Sequence, residues 1–275
     1  MPDRSELDQR VLVGEHRLHA RVVGTGTPAV VLDTGMGDSL EAWGELLPRL
    51  GELTTTVAYD RAGLGESELG PEPRDLFAVA KDLRALLQGL GIEPPYLLIG
   101  HSLGGLHIRG FAHLYPEEVA GWIFIDPTTE GMIQSVLTEE GQAAVLQQLE
   151  GESEGVLAEA RGVPHRLRQL DDLDPPPHIP AVVLSAAAPM HIPEEHREAA
   201  AAAGMTEERL EELLTLKLDL HRALADKLPQ SEHITLPENH HYLHQQDPEI
   251  VVEQVRKLLG QIRRGQEVKA PVEDG

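Results

Sequence analysis

A chain of 275 residues, 41% of them apolar, is long enough to bury a substantial core without disulfides or structural metals. Its 23 Lys and Arg against 46 Asp and Glu leave a formal charge of −23, which argues against nucleic acid and anionic membrane surfaces as partners, because both demand basic patches. The absence of cysteine excludes a disulfide framework, a thiolate zinc site and a cysteine nucleophile, and it fits a reducing compartment.

The first residues, Met1 to Glu6, are charged and carry no apolar stretch, so no signal peptide is expected and the cytoplasm is the expected location. Arg10 to Val13 and Arg17 to Val23, joined at Gly14-Glu15, predict an antiparallel hairpin. Strand-length apolar runs follow at Ala29–Leu32 and Thr54–Tyr59. Leu76, Val79, Ala80, Leu83, Leu86, Leu87 and Leu90 keep the i, i+3, i+4, i+7 spacing of one helix face. Tyr96–Ile99 is a strand, Leu106–Tyr115 is helix-like, and Trp122–Ile125 is a strand again. The rhythm then breaks. Residues 128–178 are acidic and helix-prone and close on Asp174-Pro175-Pro176-Pro177, as expected of a lid inserted over the strand ends. Its Glu150, Glu152 and Glu154 read as a solvated face. Strands resume at Ala181–Leu184 and His233–Leu236, separated by a helical stretch over 194–228 that can add to the lid. Val251, Val255, Leu258, Leu259 and Ile262 predict a final helix, and 265–275 a frayed polar tail.

No apolar run approaches the ~20 residues that span a bilayer. Continuous rather than alternating apolar runs indicate strands covered on both faces. The βαβα alternation therefore predicts an α/β fold: an eight-stranded, mostly parallel sheet with helices on both faces, its core built from 1–127 and 179–264.

The segment richest in chemistry is Gly100-His101-Ser102-Leu103-Gly104-Gly105. It contains G-x-S-x-G directly after a strand and before a helix, the context in which that motif forms a sharp turn with an exposed serine at its apex. The glycines leave room for backbones that pack there, and the following helix points its N-terminus at a developing oxyanion. The competing reading is a glycine-rich turn with a passive serine.

With this motif the chain resembles the α/β-hydrolase superfamily over about residues 10–262, most weakly in 128–178. The resemblance rests also on Asp33-Thr34-Gly35-Met36-Gly37, on Tyr59-Asp60-Arg61-Ala62-Gly63-Leu64-Gly65-Glu66-Ser67, and on Asn239-His240-His241-Tyr242-Leu243-His244 with Gln245-Gln246-Asp247-Pro248. It implies a lid-bearing hydrolase with a Ser–His–acid triad and no cofactor. The base is the histidine before an aromatic, His241, although His240 stands where relatives commonly have glycine. A metal site is the rival reading of His240 or His241 with His244, but no carboxylate or cysteine cluster accompanies them. His244 reads as a polar helix-entry residue.

Many relatives carry the acid after the next-to-last strand, but Leu184-Ser185-Ala186-Ala187-Ala188-Pro189 offers none there. Some carry it one strand earlier, and Asp126, at the end of Trp122–Ile125, is preferred to Glu194 or Glu195 because it lies beside the Ser102 strand. A plain strand-end turn before Pro127 is the alternative for Asp126. The resemblance assigns the oxyanion donors to the N–H groups of Leu103 and Met36. Asp33 replaces a histidine common in relatives and is expected to bond its own loop. Asp60 and Arg61 are expected to brace turns beside the site.

The expected chemistry is two-step acyl transfer on a small carboxylic ester. Serine at the turn counts against haloalkane dehalogenases and epoxide hydrolases, whose relatives carry Asp there. An aminopeptidase of the proline-iminopeptidase kind, a lactonase, a C–C hydrolase and a non-hydrolytic binding protein remain open, as does the oligomeric state.

Overall fold

The computed structural model describes residues 6–131, 147, 149–170, 173, 179–189 and 206–269. Eight strands form one sheet: β1 (Glu6–Val13), β2 (His16–Val23), β3 (Ala29–Asp33), β4 (Thr56–Tyr59), β5 (Tyr96–His101), β6 (Val119–Ile125), β7 (Pro180–Ala186) and β8 (Gln230–Leu236). Their spatial order is β1-β2-β4-β3-β5-β6-β7-β8. β1 and β2 pair antiparallel, as do β2 and β4, and every later pairing is parallel. The hairpin closes on Gly14, whose φ of +60° suits glycine, so that Val13 faces His16 across the turn.

Successive strand residues point to opposite faces, and here they feed two cores. Val31, Leu98, Trp122, Phe124 and Val183 join one cluster; Val30, Leu32, Leu97, Ile99, Ile123, Ile125, Val182 and Leu184 join the other. On the first face lie α2 (Leu76–Leu90) and α3 (Gly104–Leu114). On the second lie α1 (Leu46–Gly51) and the last helix, through Leu46, Leu50, Val251, Val255, Leu258 and Leu259. Each such Leu or Val contributes about 1.5–3 kcal/mol by leaving water. Asp75 caps α2 by accepting from the Ala78 N–H at 2.9 Å, and Gly91 ends it in the left-handed conformation.

Among the described residues two longer helices remain within the insertions: α4 (Glu154–Leu170), between β6 and β7, and α5 (Glu207–Asp226), between β7 and β8. The last helix, α6, covers Pro248–Lys269 and so continues into the stretch expected as a tail. β8 is paired on one side only and is half-exposed along its length, unlike the fully covered strand read from His233–Leu236. β4 begins at Thr56, two residues later than expected, and the Thr54 hydroxyl donates to the Pro28 carbonyl at 2.9 Å. Residues 132–146, 148, 171–172 and 174–178 of the expected lid, and both Glu194 and Glu195, lie outside the described residues. Among those described, no helix is long and apolar enough to cross a membrane.

Candidate active site

β5 and α3 meet at Ser102, whose φ is +50°. A non-glycine residue there is strained by roughly 1–3 kcal/mol and persists only where its surroundings over-determine it. They do so here. The Ser102 N–H donates to Ile125 O at 3.0 Å, and its carbonyl accepts from Gly105 N at 3.0 Å and Thr128 N at 2.9 Å. The flanking glycines are sterically required. A Cβ on Gly100 would lie 2.5 Å from Gly104 O, and one on Gly104 would lie 2.2 Å from Asp33 O. This close packing seats the start of α3 against the end of β3, so that the Leu103 and Met36 regions are neighbours in space.

Asp126 ends β6 with a φ of +39° and is 2% exposed. Its N–H donates to Leu184 O at 2.7 Å. Its carboxylate accepts from the Ala186 N–H (2.9 Å), from His241 Nδ1 (2.7 Å) and from Lys217 Nζ (3.0 and 3.2 Å). Burial alone would raise its pKa, but the bond to His241 and the Lys217 charge outweigh that and hold it below the usual range. The Asp126–His241 bond makes Nδ1 the donor, which leaves Nε2 as the free lone pair of a neutral ring. The His241 side chain is 47% exposed.

Ser102 and His241 are not hydrogen-bonded to each other among the described residues; the Ser102 hydroxyl lies 3.4 Å from Thr128 Oγ1 instead. Such nucleophile–base bonds often tighten only once substrate is in place.

The His241 loop is packed against His101 of β5. Their ring centroids are 4.6 Å apart, and His101 Nε2 donates to the His241 carbonyl at 3.1 Å. The His244 ring lies tilted against His101, its centroid 4.5 Å away, and donates to Ala42 O at 3.2 Å. Burial pushes the His101 pKa down to about 2 and that of His244 to about 4, so both are neutral packing groups. His240 is exposed, and its N–H donates to Gln246 Oε1 at 2.9 Å.

Leu103 is buried, and Met36 is 39% exposed in the loop after β3. Neither N–H donates to a described residue. Asp33 does not face that space. It is fully buried and accepts from Tyr59 OH (2.6 Å), Arg61 Nη1 (2.9 Å) and His107 Nδ1 (3.0 Å). Asp60 accepts from the Leu40 N–H (2.6 Å), the Glu66 N–H (2.9 Å) and His19 Nδ1 (2.7 Å), which ties three backbone stretches together.

Reading the sequence alone did not reach Lys217, His221, Ser185, Thr128 or Glu159. Lys217 Nζ also donates to Ala186 O at 2.6 Å. His221 Nε2 donates to Pro127 O at 2.7 Å, and its Nδ1 accepts from Ser185 Oγ at 2.8 Å, which in turn accepts from His233 Nε2 at 2.8 Å. Lys217, His221, Ser185 and His233 sit on α5, β7 and β8 with no motif spacing to mark them, and the sheet order brings them to the end of β6.

The family profile described as the alpha/beta hydrolase fold matches residues 28–161. A probable transporter, efuK, of Hormonema carpetanum is 36% identical over 126 residues, which is 43% of this chain and 18% of that protein. The chain spans between 18% and 52% of the length of the curated relatives it matches. Among solved structures, a malate-bound thermophilic esterase from Thermogutta terrifontis superposes with a TM-score of 0.71 at 21% identity, covering 93% of this chain and 99% of that one. The enol-lactonase from Burkholderia xenovorans LB400 superposes with a TM-score of 0.66 at 18% identity, covering 92% and 100%. At these identities the superpositions establish the shared fold.

Proposed function

The chain belongs to the α/β-hydrolase superfamily, and on that premise we propose that it is a serine hydrolase that cleaves small carboxylic esters through an acyl-enzyme. The observation that carries this reading is the 2.7 Å bond from His241 Nδ1 to the buried Asp126, on a ring that is half-exposed and whose Nε2 has no hydrogen-bond partner among the described residues. A serine hydroxyl is a weak nucleophile and needs such a base.

In the first step His241 Nε2 takes the Ser102 proton as Oγ bonds the ester carbonyl carbon. The carbonyl oxygen becomes an oxyanion held by the Leu103 and Met36 N–H groups and by the N-terminal end of α3. The imidazolium, stabilised by Asp126, gives its proton to the leaving alcohol as the C–O bond breaks. In the second step His241 takes a proton from water, hydroxide bonds the acyl carbon, and Ser102 Oγ leaves with that proton. In this reading α4 serves as part of a lid: a Cβ on Gly155, in its first turn, would lie 1.9 Å from Gly63 O, so the helix is seated directly on the turn after Arg61. A lactone, being a cyclic ester, would pass through the same steps.

The test is hydrolysis of p-nitrophenyl esters from acetate to decanoate, wild type beside Ser102→Ala. Turnover that disappears in the variant supports the reading, and the chain-length profile sizes the acyl pocket. A folded wild-type protein that turns over no ester or lactone, and whose Ser102 takes no fluorophosphonate label, sinks it.

A further inference from the structure

Met36 lies between the Gly35–Met36 peptide, held through its carbonyl by Arg61, and the Met36–Gly37 peptide, held through its N–H by Glu159. Arg61 Nη1 donates to the Thr34 carbonyl at 2.8 Å, and Nη2 to the Gly35 carbonyl at 2.6 Å. A peptide unit is planar and trans, so its N–H points opposite to its C=O. The unit that carries Gly35 O also carries the Met36 N–H. Holding its oxygen on Arg61 therefore aims the Met36 N–H away from Arg61. The next N–H, that of Gly37, donates to Glu159 Oε2 at 2.9 Å, at a residue whose φ of +76° suits glycine.

The same Glu159 accepts from Arg61 Nε (2.5 Å) and Nη2 (3.1 Å), and both side chains are 2% exposed. Asp33 takes the remaining side of the guanidinium through Nη1. Burial alone would neutralise these groups. Arg61 nevertheless holds the Glu159 carboxyl below its usual range, and Glu159 with Asp33 holds Arg61 above its own, so the pair stays charged. Arg166 Nη1 donates to the Glu159 carbonyl at 2.8 Å, fixing that turn of α4. One carboxylate from the helix between β6 and β7 thus controls both peptide groups around Met36.

We propose that Glu159 is a positioning residue for the oxyanion hole: through Arg61 and the Gly37 N–H it fixes the Gly35–Met36 peptide with the Met36 N–H turned toward the reacting carbonyl oxygen. The hole is then complete only when α4 is docked, which couples the insertion to the chemistry. This rests on acyl transfer at Ser102.

The experiment compares Glu159→Gln with wild type, folding being checked by circular dichroism. Glutamine keeps the size and one acceptor but loses the charge that holds Arg61. The expected result is a fall in kcat of about 10²-fold, the scale of losing one oxyanion donor. KM should stay within about threefold, and affinity for a trifluoromethyl ketone analogue should fall in parallel with kcat/KM. A merely structural role would lower the active fraction without this split. A folded variant with kcat and analogue affinity near wild type overturns the proposal. Should Glu159→Gln fail to fold, Glu159→Asp keeps the charge but withdraws from Gly37, and the same split is expected at smaller amplitude; its absence overturns the proposal equally. A crystal structure of the folded variant reads the peptide independently of turnover. A rotated Gly35–Met36 peptide supports the inference even where no ester is hydrolysed, and an unchanged one refutes it.

Discussion

His241 Nδ1 and Asp126 Oδ2 lie 2.7 Å apart across a sequence separation of 115 residues. Neither strand that positions them is adjacent to the other: β7 runs between β6 and β8, and Asp126 reaches past its end. The Ala186 N–H at the tip of β7 donates to the same carboxylate, so the acid is held by the strand it crosses.

Asp126→Asn should lower kcat by about 10⁴-fold, because an amide favours the wrong imidazole tautomer. Circular dichroism should show a folded protein. Glu194→Gln and Glu195→Gln should stay within a few-fold of wild type in the same ester assay. The opposite pattern would move the acid to that later segment.

Lys217→Met removes the cation from a carboxylate that is 2% exposed. Breaking a largely buried pair costs about 3–5 kcal/mol, and the 19% exposure of Lys217 brings the expectation toward the lower end. Urea denaturation measures it. The double variant Asp126→Asn with Lys217→Met should lose less than the sum of the singles. Additivity of the two would mean that the contact contributes nothing to stability.

Burial lowers the pKa of His221 and His244 to about 4 and of His101 to about 2. The unfolded chain, with ordinary histidines near 6.5, then binds more protons than the folded one. The contribution of these three rings therefore rises with pH and should fall as pH drops from about 6.5 toward 4, while His19, which burial alone would lower but Asp60 and Asp8 hold above its usual range, opposes them. The lowered carboxylates Asp33, Asp126 and Glu159 withdraw their contribution at still lower pH. Thermal melts across pH 4 to 8 give the slope. A flat profile above pH 5 would show that these rings are solvated.

Gly104→Ala should destabilise the fold by more than about 2 kcal/mol, since its Cβ would lie 2.2 Å from backbone Asp33 O. Gly265→Ala, with nothing within 4 Å of its Cβ, is the control and should be neutral or slightly stabilising. Chemical denaturation of the pair separates a steric requirement at the turn from a general glycine effect.

The strands were legible because each apolar run is long enough to be covered on both faces, and period-2 alternation then divides it between two cores without further instruction. β8 was misjudged as fully covered because edge position is a property of sheet order, which no local run encodes. The region of Ser102 was readable because strand, turn and helix are contiguous and the glycines needed there adjoin the serine. Lys217 and Glu159 were invisible for the opposite reason: each is one charged residue in a polar helix, and nothing nearby distinguishes it from its solvated neighbours.

By itself the sequence determined what local chemistry can determine: the elements, their amphipathic faces, and the turn that carries Ser102. Tertiary structure alone decided which distant charges share a buried space. Asp126 meets His241 and Lys217, and Arg61 meets Glu159, only after parallel strands are ordered and two helices dock on their ends. Burial strengthens those pairings, because in a low-dielectric interior a charge must find a partner or be neutralised, and the fold specifies which partner is within reach.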